Sequence, residues 1–219
     1  NTSANGTFTI DPVEATEGTT ITLTPSVNEH YHITGWEFED SEGLIFIDVE
    51  DNQFTMPASD VYVSMLTAPD EYNITTTASP AAGGTITGAG SYTYGSTATL
   101  TATPAENYHF VKWDDNNTDN PREVTVTADA SYTATFAIDQ HTITAVSADD
   151  NMGTVSGGGD YDYNTTATLT ATPAEHYPCV QWNDRNTDHP REVTVTADAS
   201  YTATFAIDQH TITAVGADD

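Results

Sequence analysis

The chain has 219 residues, enough for two or three small domains, and sets thirty-three acids against four basic residues, Lys112, Arg122, Arg185 and Arg191. A formal net charge of −29 excludes nucleic acid and anionic membrane as partners, because both demand cationic patches. It leaves a solvated, self-repelling surface, a cation-binding surface or a basic partner.

Cys179 is the only cysteine, so no intramolecular disulfide can form, and its place is taken by Phe110 one repeat earlier, which reads as a small core residue rather than a reactive thiol. No apolar run approaches the ~20 residues of a membrane span. Apolar and aromatic residues recur at regular places, which argues for an ordered chain despite the acidity.

The regularity is a tandem repeat. Residues 121–146, PREVTVTADASYTATFAIDQHTITAV, return unchanged at 190–215. Trp113 recurs as Trp182, Leu100 as Leu169, Tyr92 as Tyr161 and Gly84 as Gly153, all at a spacing of 69. A repeat of that length is a whole small domain. The divisions are repeat one at 1–70, repeat two at 71–139, repeat three at 140–208, and a first strand of a further repeat, or a donor strand, at 209–219.

Repeat one is the most divergent. Its segment 19–40 parallels 96–115 at an offset of 77, matching Leu23 with Leu100, Tyr31 with Tyr108 and Trp36 with Trp113. After an insertion of seven residues, FTMPASDVYVSML (54–66) parallels 124–136 at an offset of 70. In repeat two, YNITTTA (72–78) predicts a strand and SPAAGG (79–84) a turn. TITGAGSYTYGS (85–96) predicts a hairpin around Gly88 and Gly90. TATLTATP (97–104) alternates with period two, placing Leu100 inward and Thr99 and Thr101 outward. HFVKW (109–113) is another strand, DDNNTDNP (114–121) a loop of turn formers, and EVTVTA (123–128) with SYTATF (131–136) a second hairpin across Asp129. The β-branched richness and the absence of any 3.6-residue period predict an all-β, or nearly all-β, fold. Three tandem modules, either β-grasp-like or small sandwiches, would form an elongated rod, each with a radius of gyration of about 11 Å and adding roughly 30 Å of length.

The chain starts one strand late and finishes one strand over. Three arrangements fit this phase. The chain is a window on a longer array; each HTITAV-type strand packs on the repeat before it; or strand 210–215 completes repeat one of another copy by strand addition.

The combined marks ASP…GG, YGSTATLTATP, Y-x-F-x-x-W, a polar loop ending NPR, and VTVT…YTATF resemble the divergent internalin-B-type (Listeria–Bacteroides) repeats of bacterial surface proteins. The resemblance implies a β-rich module of about 70 residues in extracellular stalks and adhesins, and it brings no catalytic residues.

Several groups of side chains could carry chemistry. Asp115, Asn117 and Asp119 alternate after Trp113, and Asp184, Asn186 and Asp188 after Trp182; oxygen donors at alternate positions suit calcium. The same pattern suits Asx turns capping their own backbone, and the sixth-position glycine and twelfth-position glutamate of a calcium loop are missing. Asp149, Asp150 and Asn151 form a second acidic cluster, read as a repeat junction. Tyr92 with Tyr94, and Tyr161 with Tyr163, share strand faces at i, i+2, and these are the ligand-binding candidates if exposed. Trp36, Trp113 and Trp182 are core anchors or sugar platforms. His30 and His32 share a strand face and would suit zinc, but the other repeats do not keep the pair. No nucleophile elbow, metalloprotease motif or phosphate loop occurs.

The expected function is therefore non-enzymatic and without a cofactor other than calcium: an extracellular or cell-surface stalk, spacer or fibre segment. The alternatives are an adhesin module binding glycan or a host surface protein, and a head-to-tail filament subunit. Expected partners are neighbouring repeats or copies of the chain itself, with no membrane insertion.

Overall fold

The computed structural model describes residues 2–3 and 5–213. Repeat one contributes β1 (Thr2–Ser3), β2 (Gly6–Asp11), β3 (Thr20–Val27), β4 (Tyr31–Asp40), β5 (Gly43–Ile45), β6 (Gln53–Thr55) and β7 (Tyr62–Pro69). Repeat two contributes β8 (Glu71–Ser79), β9 (Gly84–Thr87), β10 (Gly90–Thr93), β11 (Thr97–Pro104), β12 (Tyr108–Trp113), β13 (Arg122–Thr125) and β14 (Ala130–Ile138). Repeat three contributes β15 (Gln140–Ser147), β16 (Gly153–Ser156), β17 (Gly159–Asp162), β18 (Thr166–Pro173), β19 (Cys179–Trp182), β20 (Arg191–Thr194) and β21 (Ala199–Phe205). A 3₁₀ turn at Ala81–Gly83 is the one helical element among the described residues. The fold is nearly all β.

Each repeat holds two sheets, and none of these sheets runs from one repeat into the next. Repeat three has the orders β17-β15-β21-β19 and β16-β18-β20; repeat two has β10-β8-β14-β12 and β13-β11-β9. In repeat three the two central strands, β15 and β21, run parallel, from Ile143 opposite Ala199 to Ser147 opposite Ala203. Repeat one has β1-β2-β3-β6 and β5-β4-β7. By their contacts the residues fall into two units. One holds the chain up to Thr77 with Ile86–Ala102 and Asp119–Thr133; the other holds Ala78–Thr85, Thr103–Thr118 and the chain from Ala134 onward.

These pairings correct both expected hairpins. β9 lies in one sheet and β10 in the other, and β13 and β14 are likewise separated. Both turns have the expected turn formers, but the chain uses them to cross between sheets. At Gly88 (φ 99°) the corner is so tight that a Cβ would run into the Thr99 carbonyl. Each first strand also pairs within its own repeat and not with the one before, β8 with β10 and β14, β15 with β17 and β21. Residues 206–213 form no strand, and positions 214–215 of the expected donor strand lie outside the described residues.

The alternation of TATLTATP is realised as expected. Ala98, Leu100 and Ala102 are buried, while Thr97 and Thr99 face solvent. The Y-x-F-x-x-W spacing needs one more device, because residues three apart on a regular strand face opposite ways. A β-bulge between Phe110 and Lys112 resets the phase, bringing the Phe110 and Trp113 rings to 5.6 Å. The same bulge recurs between Cys179 and Gln181 and between Ile33 and Gly35.

Trp113 and Trp182 are fully buried, each paired across its sheet with an alanine, Ala134 or Ala203, that leaves room for the indole. In repeat one Met65 stands in that position. Trp36 is accordingly half-buried, its ring edge-on to Phe8 at 5.0 Å and its N–H donating to Asn52 Oδ1, while Phe38 takes the buried place. The pairing of Trp36 with Met65 also shifts the expected match. The offset is 70 at Phe54, which pairs with Ile21 as Val124 pairs with Ala98, but 69 along β7. One extra residue in the turn before β7 accounts for the slip, so Val63, not Tyr62, occupies the place of Tyr132, and Tyr62 points outward.

Candidate functional site

The loop after each tryptophan closes on backbone bonds. Trp182 N–H donates to the Asn186 carbonyl and Arg185 N–H to the Trp182 carbonyl, with Arg185 in the left-handed region at φ 70°. Asp184 Oδ1 accepts from Asn186 N–H, Asn186 Oδ1 accepts from Asp188 N–H, and the Asn186 side-chain amide reaches Asp188 Oδ2. Both Asp184 oxygens also accept from the Arg191 guanidinium, which lies over the Tyr201 ring at 4.4 Å. Hydrogen bonding from Arg191, above all, holds the Asp184 carboxyl below the usual carboxylate range, against a smaller opposing effect of burial. In repeat two, Asp115 Oδ1 accepts from Asn117 N–H, and the loop's Asn120 side chain clips the Ala102 backbone through both its amide and its oxygen. Asp119 has partners within the protein as well. The alternate oxygens thus act as Asx-turn acceptors and as an anchor for arginine. Among the described residues no three His, Cys, Asp or Glu side chains gather as a metal cluster. Asp149 and Asn151 form another Asx turn, within repeat three between β15 and β16, not at a repeat junction.

The tyrosine pairs are half-buried. Tyr92 and Tyr161 donate their hydroxyls to the Gly88 and Gly157 carbonyls, both at 2.7 Å. Tyr94 stacks on His30 at 3.8 Å, and Tyr163 meets His141 edge-on at 6.2 Å. These second tyrosines point to the feature that sequence reasoning missed, the link between repeats.

That link is a single residue. Ala137 and Ile138 belong to β14, and only Asp139 separates it from β15; Asp70 does the same between β7 and β8. Asp70 N–H donates to the His30 carbonyl at 2.8 Å, its carbonyl accepts from Tyr94 N–H at 2.7 Å, and its carboxylate lies 2.9 Å from His32 Nδ1. At the second link Asp139 N–H donates to the Asn107 carbonyl at 2.8 Å, its carbonyl accepts from Tyr163 N–H at 2.8 Å, and its carboxylate lies 2.8 Å from His109 Nδ1. Asp208 repeats the first contact, to the His176 carbonyl, with Pro178 in place of the histidine. The recurrence of aspartate at 70, 139 and 208 was the available signal. It also corrects the imidazole pair: His30 sits at a turn with φ 65°, ahead of β4, and faces Tyr72 and Tyr94, while His32 serves Asp70.

Cys179 is half-buried against the core of repeat three, 3.5 Å from His189 Nδ1. Burial pushes its thiol up, which leaves it less reactive.

No curated protein matches the chain in sequence. Among solved structures the chain is similar to the Bacillus anthracis TIE protein at 10% identity and a TM-score of 0.33, over 94% of this chain. It spans 59% of that protein's chain. The description of the divergent InlB B-repeat domain matches residues 1–68, 74–140 and 142–209. With three matches covering nearly its whole length, the chain belongs to the divergent InlB B-repeat family, a repeat domain of bacterial surface proteins.

Proposed function

We propose that the chain is a non-catalytic, load-bearing spacer segment of an extracellular bacterial surface protein. The observation that carries this is the parallel pairing of the first and last strands of repeat three, β15 with β21. A load applied through the chain pulls β15 backwards and β21 forwards. Because the strands are parallel neighbours, that load shears all their hydrogen bonds together instead of opening them one at a time. The one-residue links support the same reading, since each is held by two backbone bonds and a histidine–aspartate contact. The tyrosines that an adhesin would present are engaged in the corner turns and the links.

Single-molecule force measurements on the whole chain test this. Pulling through the two ends should unfold repeat three at a distinctly higher force than pulling between Gln140 and Asp162, a directly paired couple in antiparallel strands that opens like a zip. Equal forces in the two geometries would sink the load-bearing reading.

A further inference from the structure

One sheet face of repeat one differs in kind from its counterparts. Pairing sets Leu44 opposite Glu39 and Glu39 opposite Tyr62, so these three residues form one row across β5, β4 and β7. In the next row Glu37 stands opposite Ser64, and beyond it Gly35 opposite Leu66. Phe38 and Met65, which alternate with them, are buried on the core side. Leu44 is 71% and Tyr62 70% exposed, and Phe46, two residues past Leu44, is 94% exposed.

The other repeats keep this face polar. With Met65 in the register of Ala134 and Ala203, the outward places of the last strand hold Ser131, Thr133 and Thr135 in repeat two, and Ser200, Thr202 and Thr204 in repeat three. Repeat one puts an aromatic ring, Tyr62, and a leucine, Leu66, where they keep serine and threonine. Leu44 and Phe46 come from the stretch that carries its insertion. Exposed apolar side chains gathered on one face mark a contact surface.

Charge selects the occupant. Glu37 and Glu39 are exposed and stand two apart on β4, so their side chains are about 7 Å apart along the strand. Residues 1–70 contain no lysine or arginine to neutralise them, and a second copy of the chain, at −29, is repelled. Elsewhere the chain shows what satisfies such a surface. Arg191 lies over the Tyr201 ring at 4.4 Å while both Asp184 oxygens accept from it, and Arg122 lies over Tyr132 at 4.8 Å. A carboxylate beside an aromatic ring holds a guanidinium by its charge, its planar donors and its flat face. Repeat one turns that combination outward, with Glu39 beside Tyr62. A hollow of about 350 Å³ is lined by Glu37, Leu44, Phe46 and Trp36.

We propose that this face binds an arginine-bearing, extended segment of another protein. Arginines at alternate positions of the segment match the spacing of Glu37 and Glu39. Their guanidiniums meet the two carboxylates and lie against Tyr62 and Phe46, while their methylene stems rest on Leu44 and Leu66. The contact uses repeat one alone and is independent of the spacer reading.

The test is fluorescence polarisation of a labelled hexapeptide alternating arginine with threonine, titrated with the full chain at an ionic strength of about 0.15 M. A net charge of −29 draws any polycation, so variants of equal charge are compared. Glu37→Gln with Glu39→Gln should weaken binding about tenfold. Glu123→Gln with Glu192→Gln, two exposed glutamates outside repeat one, should leave it within about twofold. Phe46→Ser and Tyr62→Ser should each weaken it about fivefold, and the lysine version of the peptide should bind less tightly than the arginine one. Every substituted side chain is exposed, so thermal melting should match the unaltered chain. No binding of the arginine peptide, or equal losses from the two glutamate pairs, overturns the proposal. So does binding of a neutral cello-oligosaccharide, or dimerisation of the chain, that Phe46→Ser abolishes while arginine-peptide binding is untouched.

Discussion

Asp184→Asn is the sharpest test of what the loop after Trp182 is for. Arg191 is 9% exposed and sends its guanidinium to both oxygens of Asp184. Breaking one side of a fully buried ion pair costs about 3–5 kcal/mol, because the remaining charge is stranded. Asp184 itself keeps 44% of its side-chain surface, so water screens the pair and a loss of about 1–2 kcal/mol is expected. Urea unfolding followed through repeat three would measure it, with Arg191→Ala and the double variant completing a cycle and a coupling of about 1 kcal/mol expected. The sign with pH follows from the lowered Asp184 pKa. The contribution is complete above the unfolded carboxyl value near ~4 and disappears as pH falls through the lower folded value. The difference between wild type and variant should therefore be full at neutral pH and vanish in strong acid. Calcium should raise the midpoint no more than magnesium at equal ionic strength, since Arg191 already holds both carboxylate oxygens. A calcium-specific rise that Asp184→Asn removes would refute the arginine anchor and restore the cation loop.

Gly157 has φ 99°, and a Cβ there would meet the Thr168 carbonyl, so Gly157→Ala should cost about 3 kcal/mol in chemical denaturation. Gly18, at φ 82° with open space around it, is the control, and its alanine variant should lose only about 1 kcal/mol; equal losses would remove the steric argument. Cys179 should react with a disulfide reagent at mildly alkaline pH more slowly in the folded chain than in urea, because burial raises its pKa. Faster reaction in the folded state would instead mean that His189 activates the thiol.

Strand content and core were legible because alternation is a local signal. Thr97 to Pro104 declares its inward face without help from the rest of the chain, and burial of Ala98, Leu100 and Ala102 follows. Pairing was not legible, because a turn such as Gly88–Gly90 has the same chemistry whether it returns to its own sheet or crosses to the other. Only the close approach to Thr99 separates the two cases, and Thr99 lies on a different strand. The slip before β7 was hidden for a related reason. At a uniform offset of 70 the letters agree at Thr55, Ala58 and Tyr62, whereas an offset of 69 offers only Asp60, and the deciding contact, Trp36 with Met65, is long-range. At the loops after Trp113 and Trp182 the acidic spacing was visible, but Arg191 as the partner of Asp184 was not, since spacing does not say which side of a turn a side chain takes.

The 26 residues that return unchanged, 121–146 and 190–215, supply core residues such as Val126 and Phe136, and in the first copy they also carry the chain across a link. In its first copy the stretch runs from β13 through β14 to Asp139 and along β15 to Val146. It contains Asp129, which hooks β8, Asp139, which closes the link, and Ile143, which the next repeat buries. A change in a loop such as 114–120 alters one repeat alone. A change in this stretch alters the last strand of one repeat, the first of the next and the residue between them. Repeat one matches this stretch least well: its closing segment reads PASDVYVSML, yet in the register set by Met65 and Ala134 its Asp60 still falls on the place of Asp129.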